Sequence, residues 1–324
     1  MSTMPGASPD DLGTRVSPSG EQFALSGGGY EAVITESGGA LRSLSYSGRD
    51  LVDGFAVDAT SSGGRGQLLM PWPNRIRDGR YTFGGQEHQL ALTEPERHNA
   101  SHGLARWAAW TVEEHTAHSV SLQYRLMAQS GYPWLVDLHV LYDLSADGLT
   151  VTQTATNLSD SPAPYASGAH PYLTVGDGPI DSWELSLPAR TRSIADDRLL
   201  PVSSEGVAGT PYDFRERRTI GDLALNDAFT DLVHDEHGVA TTSLRDPATG
   251  HEVELWVDAQ HRWLQLYSAD DVPATARRSL AVEPMTANAD AFRSGQDLIT
   301  LAPAGEPGDE VSVAWGVRAV EEQA

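Results

Sequence analysis

The sequence predicts an all-β protein built from many short antiparallel strands. Period-two alternation of apolar and polar residues recurs along the chain, and turn residues separate the alternating segments. The glycine pairs at 38–39 and 84–85 lie where hairpin turns are expected. No segment has the three- and four-residue apolar spacing of a long amphipathic helix. Short strands separated by Gly and Pro are typical of a sandwich or a barrel. The clearest predicted strands are residues 118–126, 134–142, 149–156 and 251–257.

The chain divides into a short tail and one large domain. Residues 1–18 are rich in Ser, Pro, Gly and Asp, which is typical of a flexible N-terminal tail. No shift in composition after residue 20 marks a linker, and no internal repeat is evident. We therefore predict a single β domain over residues 19–324.

Composition restricts the chemistry and the partners. The formal net charge of −23 argues against binding to nucleic acid or to an anionic membrane. The 324 residues include no cysteine and no lysine, which excludes thiolate chemistry, Schiff bases and P-loops. No apolar run is long enough to span a membrane, and no secretory signal is evident, so we expect a cytoplasmic location. Histidine, carboxylate and tyrosine side chains are left as proton carriers for acid–base work without a cofactor.

Two segments in the first third of the chain stand out from ordinary β scaffolding. In residues 70–79, prolines on both sides of Trp72 force extended backbone, so Asn74 and Arg75 are expected on a loop or strand edge. An arginine there can bind a sugar hydroxyl or an anion, but the composition of the segment alone favours a surface salt bridge. In residues 98–103, His98 and His102 have the spacing of a helical metal pair, but Asn, Ser and Gly predict a turn. With no third ligand in a recognisable pattern, we expect no metal site.

Two later segments place titratable side chains in predicted strands. His170 precedes a proline, which favours extended backbone that can project an imidazole into a cleft. A structural or exposed histidine gives the same pattern. Glu283 follows an apolar run and precedes a proline, so it is expected at the buried end of a strand. Burial would raise its pKa and suit it to act as a general base, whereas a strand-edge position would leave it exposed.

Taken together and in this order, these segments resemble the aldose 1-epimerase (galactose mutarotase) family. The resemblance runs from about residue 27 to residue 317. It also includes residues 131–134, 225–232, 263–267 and 301–303. It implies a large antiparallel β-sandwich with a concave sugar-binding face, the supersandwich of galactose mutarotase-like proteins. It also implies a monosaccharide as the partner and interconversion of the α and β anomers of an aldohexose as the reaction.

The resemblance further implies roles for individual residues. Glu283 matches the general base that removes the proton from the anomeric hydroxyl. His170 matches the general acid that protonates the ring oxygen, on the opposite side of the ring, and His102 matches a second histidine at that oxygen. Arg75 and Asp227 match residues that bind sugar hydroxyls.

Further contacts are implied less directly. Asn74 lies beside Arg75, and Gln265 resembles an additional hydroxyl contact. Tyr172 and Trp263 are expected as stacking walls for the sugar, although aromatic residues there also fit a core position.

Three other functions fit the sequence in part. An epimerase for a hexose 6-phosphate or a sulfonated sugar would need an added cation, which Arg77, Arg80 or Arg106 can supply. A non-catalytic carbohydrate-binding protein would not require both Glu283 and His170. A glycosidase would need two carboxylates about 5–9.5 Å apart, and the sequence offers one well-placed glutamate.

Overall fold

The computed structural model describes residues 16–321 as an arrangement of antiparallel sheets. The predicted N-terminal tail lies almost entirely outside the described residues. A four-stranded sheet opens the domain, with its strands in sequence order. Its strands are β1 (Gln22–Gly27), β2 (Tyr30–Thr35), β3 (Leu41–Tyr46) and β4 (Arg49–Asp50).

Two small strand pairs follow. β5 (Arg75–Arg77) pairs with β8 (Asn99–Ser101), and β6 (Arg80–Phe83) forms a hairpin with β7 (Gln86–Gln89). They carry the first of the predicted site segments.

The largest sheet has nine strands. They are β9 (Thr111–His115), β10 (Ser119–Leu126), β11 (Val136–Ser145), β12 (Gly148–Asn157), β15 (Glu184–Ser186), β18 (Arg218–Thr219), β20 (Ala240–Arg245), β21 (Glu252–Val257) and β25 (Glu310–Val320). Their order across the sheet is β18-β15-β20-β21-β25-β12-β11-β10-β9.

A six-stranded sheet carries most of the site. It contains β14 (Tyr172–Leu173), β16 (Ala189–Ala195), β17 (Pro201–Gly206), β19 (Asn226–Leu232), β22 (Trp263–Tyr267) and β23 (Leu280–Met285), in the order β14-β23-β22-β19-β16-β17. A separate pair joins β13 (Ala163–Tyr165) to β24 (Ile299–Leu301). Helical structure in residues 16–321 is limited to α1 (Ala291–Ser294) and the 3-10 turns Pro95–Arg97 and Ile180–Ser182. No helix in the part of the chain that the structure describes has the length and apolar character to cross a membrane.

The prediction of an all-β fold from antiparallel strands is confirmed. The four clearest predicted strands correspond to β10, β11, β12 and β21, with bounds that differ by at most a few residues. The glycine pairs at 38–39 and 84–85 lie between β2 and β3 and between β6 and β7, as predicted.

Alternation along the strands separates a core face from a polar face. In β12, buried and partly buried residues alternate, because successive side chains point to opposite faces of the sheet. In the six-stranded sheet, Phe229, Leu264 and Val282 point to one face and join the main hydrophobic core. Their neighbours in sequence therefore point to the other face, and that face forms the floor of the site.

Candidate active site

The polar face of the six-stranded sheet is the floor of a cleft of about 320 Å³. Glu283 on β23 lies directly opposite Gln265 on β22, which lies opposite Ala228 on β19. Directly paired residues point to the same face, so strand register alone brings Glu283 and Gln265 together. Tyr267 and Asn226, each two residues from a member of this row, share the face and line the cleft.

Glu283 is buried at the base of the cleft, with 3% of its surface exposed. Burial raises its pKa to about 8, and the positive charge of Arg75 opposes the shift. Its Oε1 lies 3.3 Å from Nε2 of His170. Its Oε2 is buried and has no hydrogen-bond partner among the described residues.

His170 is held between backbone and ring contacts. Its N–H donates to the carbonyl of Gln67 at 3.0 Å, and its own carbonyl accepts from the N–H of Gly66 at 3.0 Å. The imidazole stacks on Tyr172, with ring centroids 5.0 Å apart and planes at 13°. Burial, together with the positive charge of nearby arginines, lowers the pKa of His170 to about 3. His170 is therefore neutral near pH 7, and Glu283 is the group that holds the proton.

A backbone turn closes the other side of this imidazole. Gly64 has a φ of 80°, and a Cβ at this position would lie 2.7 Å from Cδ2 of His170. Tyr172 anchors the same turn, because its hydroxyl donates to the carbonyl of Gly63 at 2.8 Å. His170 therefore lies in a slot between an aromatic ring and a glycine backbone. A glycine is required at Gly64 for both space and conformation.

His102 reaches the same region from the turn after β8. Its backbone has a φ of 61°, and its N–H donates to the carbonyl of Asn74 at 2.8 Å. The two imidazole rings meet edge to face, with centroids 5.7 Å apart. Burial, with the neighbouring His170, holds the pKa of His102 well below its usual range, and its Nδ1 has no partner among the described residues.

A chain of hydrogen bonds crosses the cleft wall. Glu94 binds Arg75 through two bonds, from Nε at 2.8 Å and from Nη2 at 3.0 Å. Arg75 Nη1 donates to Asn74 Oδ1 at 3.0 Å, and Asn74 Nδ2 donates to Gln265 Oε1 at 3.3 Å. Gln265 Nε2 then donates to Asn226 Oδ1 at 3.0 Å. These linked side chains fix one another in orientation, which suits them to present donors and acceptors to a polyol.

Asp227 is not among the residues that line the cleft, although with Arg75 and Gln265 it lines a space of about 20 Å³ that adjoins it. Asp227 pairs with Leu266 in register, whereas Asn226 pairs with Tyr267. Its carboxylate accepts from Arg192 at 2.9 Å and does not line the cleft. Within residues 225–232, Asn226 lines the cleft instead. It is one position before Asp227, and neighbouring residues of a strand point to opposite faces.

The two predicted aromatic walls also lie outside the cleft. Tyr172 packs against His170, and the guanidinium of Arg65 lies over the Tyr172 ring, 4.3 Å from its centre. Trp263 is two residues before Gln265 on β22, and its indole N–H donates to Asp297 at 2.9 Å. It lines a second pocket, beside the cleft.

Of the three arginines predicted as candidates for an anion, only Arg106 lines the cleft. Arg77 pairs with Asp196 and with Asp290, outside the cleft, and the Arg80 Nε donates to Gln89. Arg106 has no carboxylate partner among the described residues. Partial burial lowers its pKa, and its guanidinium lies 5.5 Å from the ring centre of Trp107. Among the described residues, Arg106 is therefore the cleft arginine that has no carboxylate partner.

One carboxylate behind the cleft joins several chain segments. Asp53 accepts from Arg65 at 3.1 Å, from Arg278 at 2.7 Å and from the hydroxyl of Ser279 at 2.8 Å. Arg65 directly follows Gly64, and Ser279 directly precedes β23. Asp53 thus ties the turn that confines His170 to the strand that carries Glu283.

Comparison with known proteins decides the family. The family model for aldose 1-epimerase matches residues 21–312. The chain belongs to the aldose 1-epimerase family. It is 33% identical over 295 residues to the uncharacterized protein YihR of Escherichia coli K12, covering 91% of this chain and 92% of YihR.

Solved structures of aldose 1-epimerase homologues share the fold. The GalM/aldose epimerase homologue from C. elegans superimposes with a TM-score of 0.81 at 20% identity, covering 93% of this chain and 99% of that one. Galactose 1-epimerase from Lactobacillus acidophilus gives a TM-score of 0.74 at 20% identity, covering 91% and 92%. The chain therefore has the galactose mutarotase-like fold that the sequence predicted.

Proposed function

We propose that this aldose 1-epimerase family member interconverts the α and β anomers of an aldohexose of the glucose or galactose type. The observation that carries the proposal is the contact of 3.3 Å between Glu283 Oε1 and His170 Nε2 at the buried base of a polar cleft. An acid and a base that share one proton are what ring opening requires, because one proton leaves an oxygen as another is added.

In the opening step, Glu283 as a carboxylate takes the proton from the anomeric hydroxyl. The electrons of that O–H bond form the carbonyl, the bond between the anomeric carbon and the ring oxygen breaks, and its electron pair stays on the ring oxygen. Protonated His170 supplies the proton to that oxygen, beside His102. The open aldehyde rotates about the bond next to its carbonyl and recloses on the other face.

Proton placement supports this sequence of steps. After ring opening, Glu283 holds the proton and His170 is neutral, which is also the distribution that burial favours. Action on the cyclic sugar therefore requires the proton to move from Glu283 to His170 across their contact. The sequence-based expectation placed the acid and base on opposite sides of the ring. Their proximity instead favours approach from one side, because the two reacting oxygens are bonded to the same carbon.

Polarimetry of freshly dissolved α-D-glucose and α-D-galactose tests the proposal. We expect the wild type to accelerate equilibration and Glu283→Gln to lose about 10²–10⁴-fold of that acceleration. Thermal melting of both proteins shows whether the variant is folded. A folded Glu283→Gln variant as active as the wild type would contradict the role of Glu283. A wild type inactive on every sugar tested would favour a carbohydrate-binding protein.

The unpaired Arg106 favours a second candidate, an epimerase for a hexose with an anionic group at C6. C6 and the ring oxygen are bonded to the same carbon, and the positive charge of Arg106 lowers the pKa of both His102 and His170. A group on C6 would thus lie near Arg106 when the ring oxygen lies near the histidines. A phosphate there would form a charge-assisted hydrogen bond.

The comparison of glucose with glucose 6-phosphate separates the two candidates. If the anionic sugar is the substrate, Arg106→Gln lowers kcat/KM for the phosphate by about 10–100-fold and changes that for glucose much less. Arg80→Gln, outside the cleft, is the matched control. Equal losses on both sugars would show that Arg106 does not recognise the anion.

A further inference from the structure

Trp107 is a large apolar side chain at the cleft that neither the proton transfers nor the chain of hydrogen bonds uses. Of the eight tryptophans, six are buried and Trp256 is partly exposed, whereas 54% of the surface of Trp107 is exposed. Single exposed apolar side chains are ordinary in proteins, so exposure alone assigns no role to this indole. Its position does, because Trp107 lines the cleft that contains Glu283 and His170.

The backbone that carries Trp107 is fixed on both sides. Before it, the carbonyl of Arg106 accepts from Gln67 Nε2 at 2.9 Å. After it, the carbonyl of Ala108 accepts from the N–H of Gly38 at 2.8 Å. The indole therefore projects from an ordered segment of chain, and a ligand that packs on it does not have to order the backbone first.

Trp107 belongs to the same segment as a histidine of the site. His102, Arg106 and Trp107 lie within residues 102–107, and all three line the cleft. The proposed function places His102 beside the ring oxygen of the sugar. Because the cleft has a volume of only about 320 Å³, a hexose in that position lies close to the indole.

The other aromatic side chains near the sugar have partners or lie elsewhere. Tyr267 lines the cleft, but its hydroxyl donates to Asp271 and its ring meets Tyr172 edge to face, with centroids 6.5 Å apart. Tyr172 and Trp263 do not line the cleft. Among the described residues that do, Trp107 therefore offers the most exposed aromatic surface.

A pyranose ring needs two kinds of surface around it. Its hydroxyl groups lie at the edge of the ring and need donors and acceptors, such as the amides of Asn74 and Gln265. Its faces carry C–H groups, which are apolar and slightly positive, whereas the face of an indole is slightly negative. Packing a ring face on Trp107 would remove apolar surface of both partners from water.

We propose that Trp107 is the platform on which a face of the pyranose ring packs, and that it sets the affinity of the cleft for the ring-closed sugar. The proposal rests on the proposed function for the identity of the ligand. The C–H groups remote from the anomeric carbon are the same in the α and β anomers, so this contact binds substrate and product alike. Uniform binding of this kind lowers KM and leaves kcat nearly unchanged.

A comparison of a cyclic ligand with an open-chain one tests ring packing directly. 1,5-Anhydro-D-glucitol has the pyranose ring of glucose without the anomeric hydroxyl, so it binds without turnover, whereas D-glucitol carries its hydroxyls on an open chain. In calorimetric titrations we expect Trp107→Ala to weaken binding of the cyclic compound about tenfold and that of D-glucitol much less. Trp107→Phe keeps an aromatic face and should restore most of the affinity. Unchanged binding of the cyclic compound to Trp107→Ala, or equal losses on both compounds, would overturn the proposal.

Initial rates with glucose and galactose give the second readout. Trp107→Ala should raise KM about tenfold and leave kcat within about twofold of the wild type. Met127→Ala is the control, because it removes a side chain that is 60% exposed and does not line the cleft, and it should change neither constant. A fall in kcat at an unchanged KM would mean that Trp107 acts on the reacting groups and not as a platform.

A double variant separates Trp107 from its neighbour, whose guanidinium lies 5.5 Å from the centre of the indole ring. If Trp107 contacts the sugar itself, Trp107→Ala still raises KM for the neutral sugars about tenfold in the Arg106→Gln background. Loss of the effect in that background would show that Trp107 acts only by positioning Arg106, which contradicts the proposal.

Binding also separates failure of the platform from failure of the proposed reaction, because the titrations with 1,5-anhydro-D-glucitol need no turnover. If the wild type turns over no sugar but Trp107→Ala selectively weakens binding of the cyclic compound, the platform is supported and the reaction is not. If sugars are turned over and Trp107→Ala has the KM of the wild type, the reaction stands and the platform does not.

Discussion

The ring of Tyr172 lies parallel to the ring of His170, with centroids 5.0 Å apart and planes at 13°, and the backbone of Gly64 covers the opposite face of the imidazole. The imidazole is therefore confined in its plane before any ligand binds. An acid that must meet one particular ring oxygen gains from such confinement, because misplacement by about 1 Å can cost about 100-fold in rate.

Substitution of Gly64 tests this confinement. We expect Gly64→Ala to lower kcat by about 10–100-fold with a smaller change in KM, because the added methyl displaces His170. Gly85→Ala is the control, since its φ of 78° matches the 80° of Gly64 and no atom lies within 4 Å of the added carbon. Equal effects of the two substitutions would mean that backbone strain, and not contact with His170, accounts for the loss.

The pH dependence of the rate follows from the shared proton. In the proposed mechanism, Glu283 and His170 must hold one proton between them, and Glu283 loses that proton as the pH rises through about 8. We therefore expect kcat/KM, corrected for spontaneous mutarotation, to be flat near neutrality and to fall above about pH 8. A rate that still rose steadily beyond pH 9 would be inconsistent with a proton shared by this pair.

The buried carboxyl also predicts a gain in stability on its removal. Its folded pKa of about 8 exceeds the ordinary value of 4.5, so the folded state binds more protons between these two pH values. Stability of the wild type is therefore lost as pH rises through this window. Glu283→Gln lacks the effect and should be more stable at pH 7 by up to about 3 kcal/mol. Melting temperatures of the two proteins should converge at pH 4 and separate by pH 8.

The position of Asn226 in the cleft predicts that Asn226, and not Asp227, is the residue of β19 that binds sugar. We expect Asn226→Ala to raise KM by about tenfold, because it removes an amide from the cleft and the acceptor of Gln265. Asp227→Asn should change KM little and lower the melting temperature, because it weakens the contact with Arg192. Initial rates and melting curves of both variants check this, and the reverse pattern would support the sequence-based assignment of Asp227.

The fold was predictable from the sequence for a physical reason, and the resemblance added the pairing of Glu283 with His170. The alternation of apolar and polar residues is visible in the sequence of strands such as β12. Glu283 follows an apolar run, and it lies inside a strand. Side-chain direction at a motif is harder to predict. A shift of one residue separates Asn226 from Asp227 and reverses the face of the sheet, which sequence resemblance does not resolve.

Other parts of the site depend on contacts between distant segments. Gly64 and Arg65 sit in a glycine-rich stretch that carries no local sign of its contact with His170, about 100 residues later. The direction of Arg106 is likewise set by packing, so the sequence offered it only as one of three equivalent arginines. Trp263 was predicted beside the sugar, but it lines the neighbouring pocket. The sequence could not show this, because it does not show how far along β22 the cleft extends.

The contacts of Asp53 have a consequence for protein engineering. Because this carboxylate binds both the turn beside His170 and the residue before the strand that bears Glu283, we expect substitutions at Asp53 to change the spacing of His170 and Glu283. A library that randomises only cleft residues would leave that adjustment unexplored. Directed evolution toward a bulkier sugar would sample it by including Asp53 and Arg278, neither of which lines the cleft.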